Sequence, residues 1–275
     1  MRFFIVFLSL ITVFCQGALA QIENVGTMPE ELSYQNKTLS VGMGSINALD
    51  TYLSPNTYRG TALFLLTDVT KKAMLRNREA YFNSLFVFNI SSMSDNSNRG
   101  QEFSFMFDYR YSLNFEIVED NNFSLYAGPE TVMKIGSIYN IRNSNNPIQA
   151  KLHLAIAVTS QAVYRFKVVG YPLAMRYRVD LPLLGTIFSP EYGQLYYEMF
   201  EYNQFSKAFV LAWPGNTPSC SQFISLDLPV KDIQIRVTFF GDYFKYKVNG
   251  LKSSIFTNTF MIGVSKKMEF LYNGR

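Results

Sequence analysis

His153 is the only histidine of this 275-residue chain, and it is the side chain best suited to general acid–base catalysis. A hydrolase would need a serine hydroxyl within hydrogen-bond reach of that imidazole, and a carboxylate or amide to orient it. The chain has no Gly-x-Ser-x-Gly turn that would present such a serine. We therefore expect no enzymatic activity, and an envelope hydrolase that uses His153 remains an alternative.

The composition gives little support to a metal site or to nucleic-acid binding. The chain has one histidine and two cysteines, and removal of a signal segment that contains Cys15 leaves Cys220 alone. These residues make no ligand set, so we expect no metal and no cofactor. The formal net charge is +4, and no run of like charges indicates a nucleic-acid-binding tail. Nucleic acid is therefore not an expected partner.

Charged residues recur on the polar face of segments in which apolar and polar residues alternate. The candidate set is Asp108, Arg110, Glu116, Glu130, Lys134, Arg165, Arg176 and Arg178. The same face also holds Lys151, His153, Lys167, Asp180, Asp227, Arg236 and Asp242. Opposite charges on neighbouring strands stabilise a sheet, whereas unpaired charges in a narrow interior are costly. We predict an internal network of ion pairs, and a narrow selective channel is the alternative.

The connection 184–218 is rich in aromatic residues and is the candidate ligand-binding surface. Loops of more than about 15 residues without a fold of their own tend to be functional. Exposed rings beside carboxylates can stack on a sugar or a peptide. The candidate residues are Glu191, Tyr192, Tyr196, Tyr197, Glu198 and Trp213. Two structural alternatives stay open: the rings pack as a lid, or 194–202 pairs with 205–213 as an extra hairpin.

Strands are the elements that must hold these residues. From Phe103 to Ile117 every odd position is apolar or aromatic and most even positions are polar, a period of two that only a strand produces. The segment from Leu152 to Val168 repeats the pattern. Strands of soluble domains usually have about 3 to 10 residues. These longer segments, in a chain that is 48% hydrophobic and 16% aromatic, therefore favour a membrane β-barrel.

We predict an all-β fold, an antiparallel transmembrane β-barrel of ten strands, or of twelve if the extra hairpin forms. The predicted strands lie near 38–48, 58–69, 80–92, 101–118, 123–139, 150–169, 173–183, 219–228, 233–247 and 253–271. Pro129, beside Gly128 in the fifth strand, predicts a bulge or a local break, because proline removes a ladder hydrogen bond.

The connections between these strands differ in kind. Tight turns fall at the end that holds both termini, and longer connections fall at the other end, which is typical of short periplasmic turns and longer outer loops. The tight turns are 119–122, 170–172 and 229–232, and the longer connections are 49–57, 93–100, 140–149 and 184–218. The basic connection 70–79 is an exception, and it is long enough for a helical turn.

The N-terminus has the form of a secretory signal, with Arg2 before an apolar stretch and Ala18-Leu19-Ala20 as the cleavage site. No later apolar run reaches the roughly 18 residues of a spanning helix. We predict a signal peptide at 1–20, an N-terminal segment at 21–37 and a barrel domain at 38–275 in the outer membrane.

Three stretches of the chain carry a resemblance to a known family. They are Arg142-Asn143-Ser144-Asn145-Asn146-Pro147, then Phe188-Ser189-Pro190-Glu191-Tyr192-Gly193 with Tyr196-Tyr197-Glu198, and Lys247-Val248-Asn249-Gly250-Leu251 through Phe260-Met261-Ile262-Gly263. They resemble exported Bacteroidota proteins known as a domain of unknown function. The resemblance covers most of the mature chain, implies an outer-membrane-type barrel in a Gram-negative cell envelope, and brings no assigned activity.

The function predicted from these observations is that of an outer-membrane barrel with a polar-filled lumen, acting as a structural, adhesive or narrow-transport component. A soluble exported β-sandwich that binds a ligand is one alternative, and the hydrolase is the other. The expected partners of the barrel are outer-membrane lipid and lipopolysaccharide, with barrel-assembly machinery and periplasmic chaperones for insertion.

Overall fold

Antiparallel strands make up most of the chain in the computed structural model, which describes residues 33–75, 78–97, 99–202, 205–230 and 233–270. The strands are β1 Ser33–Asp50, β2 Ser54–Leu75, β3 Arg78–Ser94, β4 Gln101–Glu119, β5 Phe123–Asn140, β6 Ile148–Val168, β7 Tyr171–Phe188, β8 Phe209–Ala212, β9 Ser219–Val230, β10 Ile233–Val248 and β11 Leu251–Phe270. A short helix α1 (Tyr196–Glu201) and a 3₁₀ turn (Phe205–Ala208) lie between β7 and β8. Among the described residues, no helix is both long and apolar enough to cross a bilayer.

Two sequence predictions concern the N-terminus. The signal peptide predicted at 1–20 lies outside the described residues. The segment predicted at 21–37 is described only from Ser33, where β1 begins and already pairs with the last strand.

Ten of these strands close into one antiparallel barrel. Neighbours along the chain pair from β1 to β7, then β7 pairs with β9, β9 with β10 and β10 with β11. The ring closes where β1 pairs with β11, from Ser33↔Phe270 to Asp50↔Ser253. The predicted ten-stranded barrel is confirmed. The β-sandwich alternative is wrong, because a sandwich needs two packed sheets and these strands form one closed sheet.

The segment between β7 and β9 folds differently from the predicted extra hairpin. The four-residue β8 pairs only with Gly185–Phe188 at the end of β7 and lies outside the ring. The predicted pairing of 194–202 with 205–213 is therefore wrong, and so is the twelve-stranded count. One reason is local: the Glu198 carboxylate accepts the backbone N–H of Leu195 (3.1 Å), as in a capping box, and so favours a helical first turn in α1.

The two ends of the barrel differ, and we call them the terminal end, which holds Ser33 and Phe270, and the loop end. At the terminal end, β2 and β3 continue to the pair Leu75↔Arg78, so the helical turn predicted within 70–79 is wrong for the described residues. The loop end carries the connections 95–100, 141–147 and 189–218.

Tight turns are present at the loop end too, which corrects the predicted division of short and long connections. The predicted connection 49–57 is only the three residues 51–53. The β10–β11 connection is the two-residue turn Asn249-Gly250, with φ of 51° and 74°. Positive φ at both residues is the geometry of a two-residue hairpin turn, for which Asn-Gly is the favoured sequence.

Side chains alternate between the outside and the inside of the barrel, as the pleat requires. On β4, Phe103 and Phe105 are each 43% exposed, whereas Ser104 and Met106 are buried. Every strand of the ring contributes at least one exposed large apolar residue, and we call this outer surface the apolar belt. One such residue per strand is Leu39, Leu63, Ile90, Phe105, Ile135, Ile156, Met175, Ile224, Val237 and Ile262.

The β4–β5 ladder is interrupted at Gly128-Pro129. Ser112↔Glu130 and Phe115↔Ala127 keep the same register, but Leu113 and Asn114 between them have no partner in this ladder; the register shifts only between Glu116 and Val118. A Cβ atom on Gly128 would lie 1.8 Å from the carbonyl oxygen of Leu113. The local break predicted from Pro129 is confirmed, and glycine is required beside it because the two backbones approach too closely for a side chain.

Candidate functional site

Arg110 of β4 lies inside the barrel and is 1% exposed. Its guanidinium donates to both oxygens of Asp108 (3.1 and 2.6 Å) and to Asp180 Oδ2 of β7 (2.7 Å). The same group also donates to the hydroxyl of Ser221 on β9 (2.7 Å). Charge-assisted hydrogen bonds of this length are strong, so Arg110 ties three strands together across the interior.

Lys134 of β5 joins the same carboxylates. Its Nζ atom donates to the two oxygens of Asp242 on β10 (2.7 and 2.6 Å) and lies 3.2 Å from Asp108 Oδ2. Asp108 is therefore shared between Lys134 and Arg110, and the two cations belong to one cluster.

Arg178 extends the cluster along β7. Its Nε atom donates to Asp180 Oδ1 (2.8 Å), and Nη2 donates to Glu130 Oε1 (2.5 Å). The Thr159 hydroxyl donates to the same Asp180 oxygen (2.6 Å). Asp180 thus accepts from Arg110 through one oxygen and from Arg178 through the other.

The cluster continues toward the terminal end through Asp227 and Asp68. Arg236 Nε and Arg176 Nε each donate to one oxygen of Asp227 (2.6 Å in both cases), and Arg236 Nη1 donates to Asp68 Oδ2 (3.1 Å). The amide of Asn83 donates to Asp68 Oδ1 (2.5 Å), and its oxygen accepts from Arg178. We call the whole set the ion-pair network: Asp68, Asp108, Arg110, Glu130, Lys134, Arg176, Arg178, Asp180, Asp227, Arg236 and Asp242.

The structure brings six of the eight candidate charges into this network and leaves two outside it. Within the described residues, the ion pairs of the network do not include Glu116 or Arg165. Glu116 is half-buried, and Arg165 is exposed with its Nη1 donating to Ser124 Oγ (3.0 Å). Both lie toward the terminal end of the barrel, where the interior face meets solvent. The sequence reasoning missed Asp68, although its even position beside the inward Phe64 and Leu66 is a signal that could have found it.

A second buried cluster lies nearer the loop end. Lys151 Nζ donates to the carboxylate of Asp50, to the Tyr246 hydroxyl (2.8 Å) and to Ser253 Oγ (2.8 Å). Lys151, Asp50 and Tyr246 are each at most 2% exposed. Asp50 was not among the predicted residues, because its position at a strand end carries no alternation signal.

Apolar side chains fill much of the remaining interior, which corrects the prediction of a polar-filled lumen. Phe223 and Phe240 stack with ring centroids 4.5 Å apart, and the guanidinium carbons of Arg110 and Arg178 each lie 5.9 Å from the Phe223 ring. Part of this cluster is Phe64, Leu66, Leu85, Val87, Ile138, Ile187 and Phe244. The cause is visible in β2 and β3, where apolar residues occupy both faces, as in the run 63–66.

Two cavities between the interior side chains are small. One of about 20 Å³ is lined by Asn89, Asp108, Lys134 and Asp242 among others, and one of about 30 Å³ adjoins Arg236. Such volumes hold about one or two water molecules. The interior is therefore packed rather than open.

His153 faces the interior from β6 and is 1% exposed. Its ring lies 5.2 Å from the ring of Phe244, and in the β5–β6 register it stands opposite Lys134. Its Nδ1 atom has no hydrogen-bond partner among the described residues. In the same part of the chain, no group of three or more His, Cys, Asp or Glu side chains is arranged to hold a metal ion.

The described residues of the connection 189–218, all except 203 and 204, lie over the loop end, and we call them the cap. Tyr196 anchors it: its hydroxyl donates to Gln149 Oε1 (2.9 Å) and accepts the backbone N–H of Ala150 (2.9 Å). Its ring meets those of Tyr52 (5.7 Å between centroids) and Phe188 (6.2 Å). Burial raises the pKa of the Tyr196 hydroxyl to about 12.

The other predicted cap residues divide by exposure. Tyr192, Tyr197 and Trp213 are 74%, 72% and 53% exposed, and Glu191 is exposed beside them in sequence. Glu198 and Tyr196 are half-buried and make contacts within the cap and with the barrel. Four of the six candidates therefore point to solvent.

Comparisons with known proteins give a family and a set of similar folds. The profile of the family described as "Protein of unknown function (DUF3316)" matches residues 3–275. No curated protein sequence matches the chain. Among solved structures, the transport unit of the autotransporter AIDA-I from Escherichia coli is 6% identical, covers 90% of this chain and 94% of its own, and has a TM-score of 0.47.

Two further solved structures are similar at a comparable level. The outer membrane protease OmpT from Escherichia coli is 7% identical, with 88% and 99% of the two chains covered and a TM-score of 0.42. The translocator domain of the autotransporter NalP from Neisseria meningitidis is 9% identical, with 94% and 96% covered and a TM-score of 0.39. These similarities concern the fold alone and assign no role to the residues of the site.

Proposed function

The chain belongs to the DUF3316 family of proteins of unknown function, and we propose that it is an outer-membrane barrel with a sealed interior that presents the cap as a binding surface. It acts as a structural and adhesive component of a Gram-negative envelope, in keeping with the Bacteroidota resemblance. Lipid and lipopolysaccharide surround it, and periplasmic chaperones and barrel-assembly machinery insert it after the signal peptide is cleaved.

The apolar belt supports the membrane location. It runs around all ten ring strands, which have 12 to 22 residues each, more than the 9 to 11 or so that a tilted strand needs to cross the hydrocarbon. Soluble monomers rarely expose so large a continuous apolar surface. The terminal end faces the periplasm in this proposal, because the longer connections 95–100, 141–147 and 189–218 lie at the loop end, and barrels of this class carry their longer loops outside the cell.

The packed interior is the observation that carries the proposal of a sealed barrel. The ion-pair network and the Phe223–Phe240 stack cross the lumen, and the cavities between them have room for about one or two water molecules. A conducting lumen needs a continuous aqueous path, which such packing does not leave. Narrow transport is therefore the less favoured reading.

Planar-bilayer recordings of the refolded protein test this proposal. We expect no steady ion conductance from the parent protein. A variant with Phe223→Ala and Phe240→Ala removes two stacked rings and serves as the control that an opened interior is detected. Steady single-channel conductance from the parent protein would contradict a sealed barrel.

The exposed rings of the cap support a binding role. Trp213 is the only tryptophan of the chain, so its fluorescence reports on this surface alone. We expect its emission to change when core oligosaccharide of lipopolysaccharide is added, because exposed aromatic rings stack on sugars. Tyr197→Ala should weaken the response, and Tyr171→Ala, an exposed tyrosine at the terminal end, should not. Equal responses from both variants would contradict a sugar-binding cap.

The absence of enzymatic activity is part of the proposal. What supports it is the setting of His153, which is buried against Phe244 and has an unpartnered Nδ1 atom among the described residues. Assays of the parent and of His153→Ala on lipid and peptide substrates should give the same background rate. A rate that depends on His153 would support the hydrolase instead.

A further inference from the structure

Two groups of three lysines lie on the outer face of the barrel where the ring closes, on the adjacent strands β10, β11, β1 and β2, which we call the seam. The outer triad is Lys245, Lys247 and Lys252, next to the β10–β11 turn at the loop end. The inner triad is Lys37, Lys71 and Lys266, on β1, β2 and β11 at the terminal end. All six side chains are exposed, between neighbours in the chain that are buried or half-buried where described.

The outer triad is held together by the register of one hairpin. Lys247 and Lys252 are direct cross-strand partners, and Lys245 lies two residues along β10 on the same face. Direct partners in an antiparallel pair have Cβ atoms about 4.5–5.5 Å apart, and diagonal ones about 7–8 Å. The three ammonium groups can therefore reach one phosphate together.

The inner triad is spread across three strands, with one lysine on each. Lys37 and Lys266 are direct partners in the β1–β11 register. Lys37 also pairs with Val69 of β2, and Lys71 lies two residues beyond Val69 on the same face. Two separate parts of the seam thus each present three neighbouring lysines on the outer face.

Neither triad has an opposite charge to balance it among the described residues, since the ion pairs found there involve other lysines and arginines. Like charges placed directly opposite each other destabilise a sheet. Two such pairs on one seam are therefore better explained by an anion that both lysines bind than by the stability of the barrel.

The distance between the triads identifies the source of that anion. Lys252 and Lys266 are fourteen residues apart on β11, which is about 46 Å along an extended strand. A strand tilted by about 40° then covers about 35 Å of membrane depth, more than the roughly 30 Å of hydrocarbon and less than the 40–45 Å between outer headgroup surfaces. Between the lysines, the outward residues include Phe256, Phe260 and Ile262. Each triad therefore lies at the headgroup level of its own leaflet.

We infer that this seam is an anionic-lipid site, in which each triad binds the headgroup phosphate of one lipid whose chains lie on the apolar belt between them. This inference rests on the proposed membrane location. The lipid class is fixed by charge and depth: a phosphate-bearing lipid of either leaflet, with the outer triad suited to a phosphorylated glycolipid.

Native mass spectrometry of the refolded protein in detergent, titrated with phosphatidylglycerol or phosphatidylcholine, tests the inference. We expect two retained phosphatidylglycerol molecules and no retained phosphatidylcholine. The variant K37Q/K266Q and the variant K247Q/K252Q should each retain one, and the quadruple variant none. Each double change should weaken its site about thirtyfold, since each surface lysine contributes roughly a fivefold gain toward anionic lipid.

The control K167Q/K207Q removes two exposed lysines outside the seam and should still retain two lipids. Heat-modifiable migration of every variant shows that it is folded. A folded, inserted quadruple variant that still retains two phosphatidylglycerol molecules overturns the lipid site while leaving the membrane proposal intact. Parent protein that fails to insert into vesicles overturns the membrane proposal itself.

Discussion

Arg110 balances two buried carboxylates, so its removal exposes what the ion-pair network contributes. In Arg110→Met, Asp108 and Asp180 each lose a charge-assisted partner in a site where neither is more than 6% exposed. Breaking a buried ion pair from one side typically costs about 3–5 kcal/mol. We expect a loss of that size in the free energy of unfolding, measured by urea titration of the refolded barrel with band migration as the readout.

Lys72→Met is the matched control for Arg110→Met. Lys72 pairs with Glu79 at 2.5 Å, but their side chains are 37% and 46% exposed. An exposed pair of this kind contributes about 0–1 kcal/mol. A comparable loss from both variants would mean that the interior charges are solvated and that the barrel is less packed than its geometry indicates.

Tyr196 makes the cap sensitive to high pH. Its pKa in the folded protein is about 12, raised by burial, against about 10 for an unburied tyrosine. The folded state therefore holds the proton more tightly, so the stability linked to it is fully present below pH 10 and is lost as the pH rises toward 12. We expect proteolysis of the cap to increase across that window. The cap of the Tyr196→Phe variant should be cleaved faster at neutral pH, because two hydrogen bonds are lost. Its cleavage rate should change less between pH 10 and 12, because the titrating hydroxyl is absent.

At the level of single residues, the alternation in the sequence predicted which face of the sheet a side chain points to, but not which residue it pairs with. It pointed Arg110, Glu130 and Arg178 inward, because parity along a strand is a local property. It could not pair Arg110 with Asp180, since those residues lie on β4 and β7 and meet only across the closed interior. Nor could it show that Arg165 stays outside the ion-pair network, because its inward position lies at the terminal end, where the side chain is exposed to solvent.

β4 and β5 approach each other closely at Gly128, and this contact gives a prediction at the level of the strands. Gly128→Val would place a Cβ atom 1.8 Å from the Leu113 carbonyl oxygen, so the ladder must separate there. Overpacking of this kind typically costs about 1–3 kcal/mol. We expect that loss in a urea titration of the refolded barrel.

Ser137→Val is the comparison for Gly128→Val, because it adds bulk on the same strand where the pattern points outward. A valine on the outer face of a strand should change the free energy of unfolding by no more than about 0.5 kcal/mol. If the two variants lose equal stability, the close approach at Gly128 is not what limits that position.

The strands were predictable where one face is apolar and the other polar, and the predictions failed where that contrast is missing. The period across Phe103–Ile117 predicted β4 and its faces correctly. In β2 and β3 both faces carry apolar residues, so the alternation did not predict the apolar side chains that fill part of the interior. The segment 70–79 has no alternation either, so the sequence did not predict that the β2–β3 pairing continues to Leu75↔Arg78.

The whole molecule gives the simplest prediction, since its strands close on themselves. We expect the refolded protein to migrate differently on a gel when it is not boiled, because a closed barrel resists unfolding by detergent. We also expect it to remain with membranes after carbonate extraction. Release of the mature protein in soluble form would contradict the membrane location.

Closure through β1 and β11 fixes the order in which the molecule can be completed. β1 pairs with β11 along its full length, so these partners of β1 are synthesised only after the other nine strands of the ring. A nascent copy that stops short of Leu251 has an unpaired strand at each margin of its sheet, and such margins readily pair with other chains. β11 must therefore be synthesised before the ring can form, and until then every copy depends on shielding of its unpaired strands from neighbouring chains to avoid aggregation.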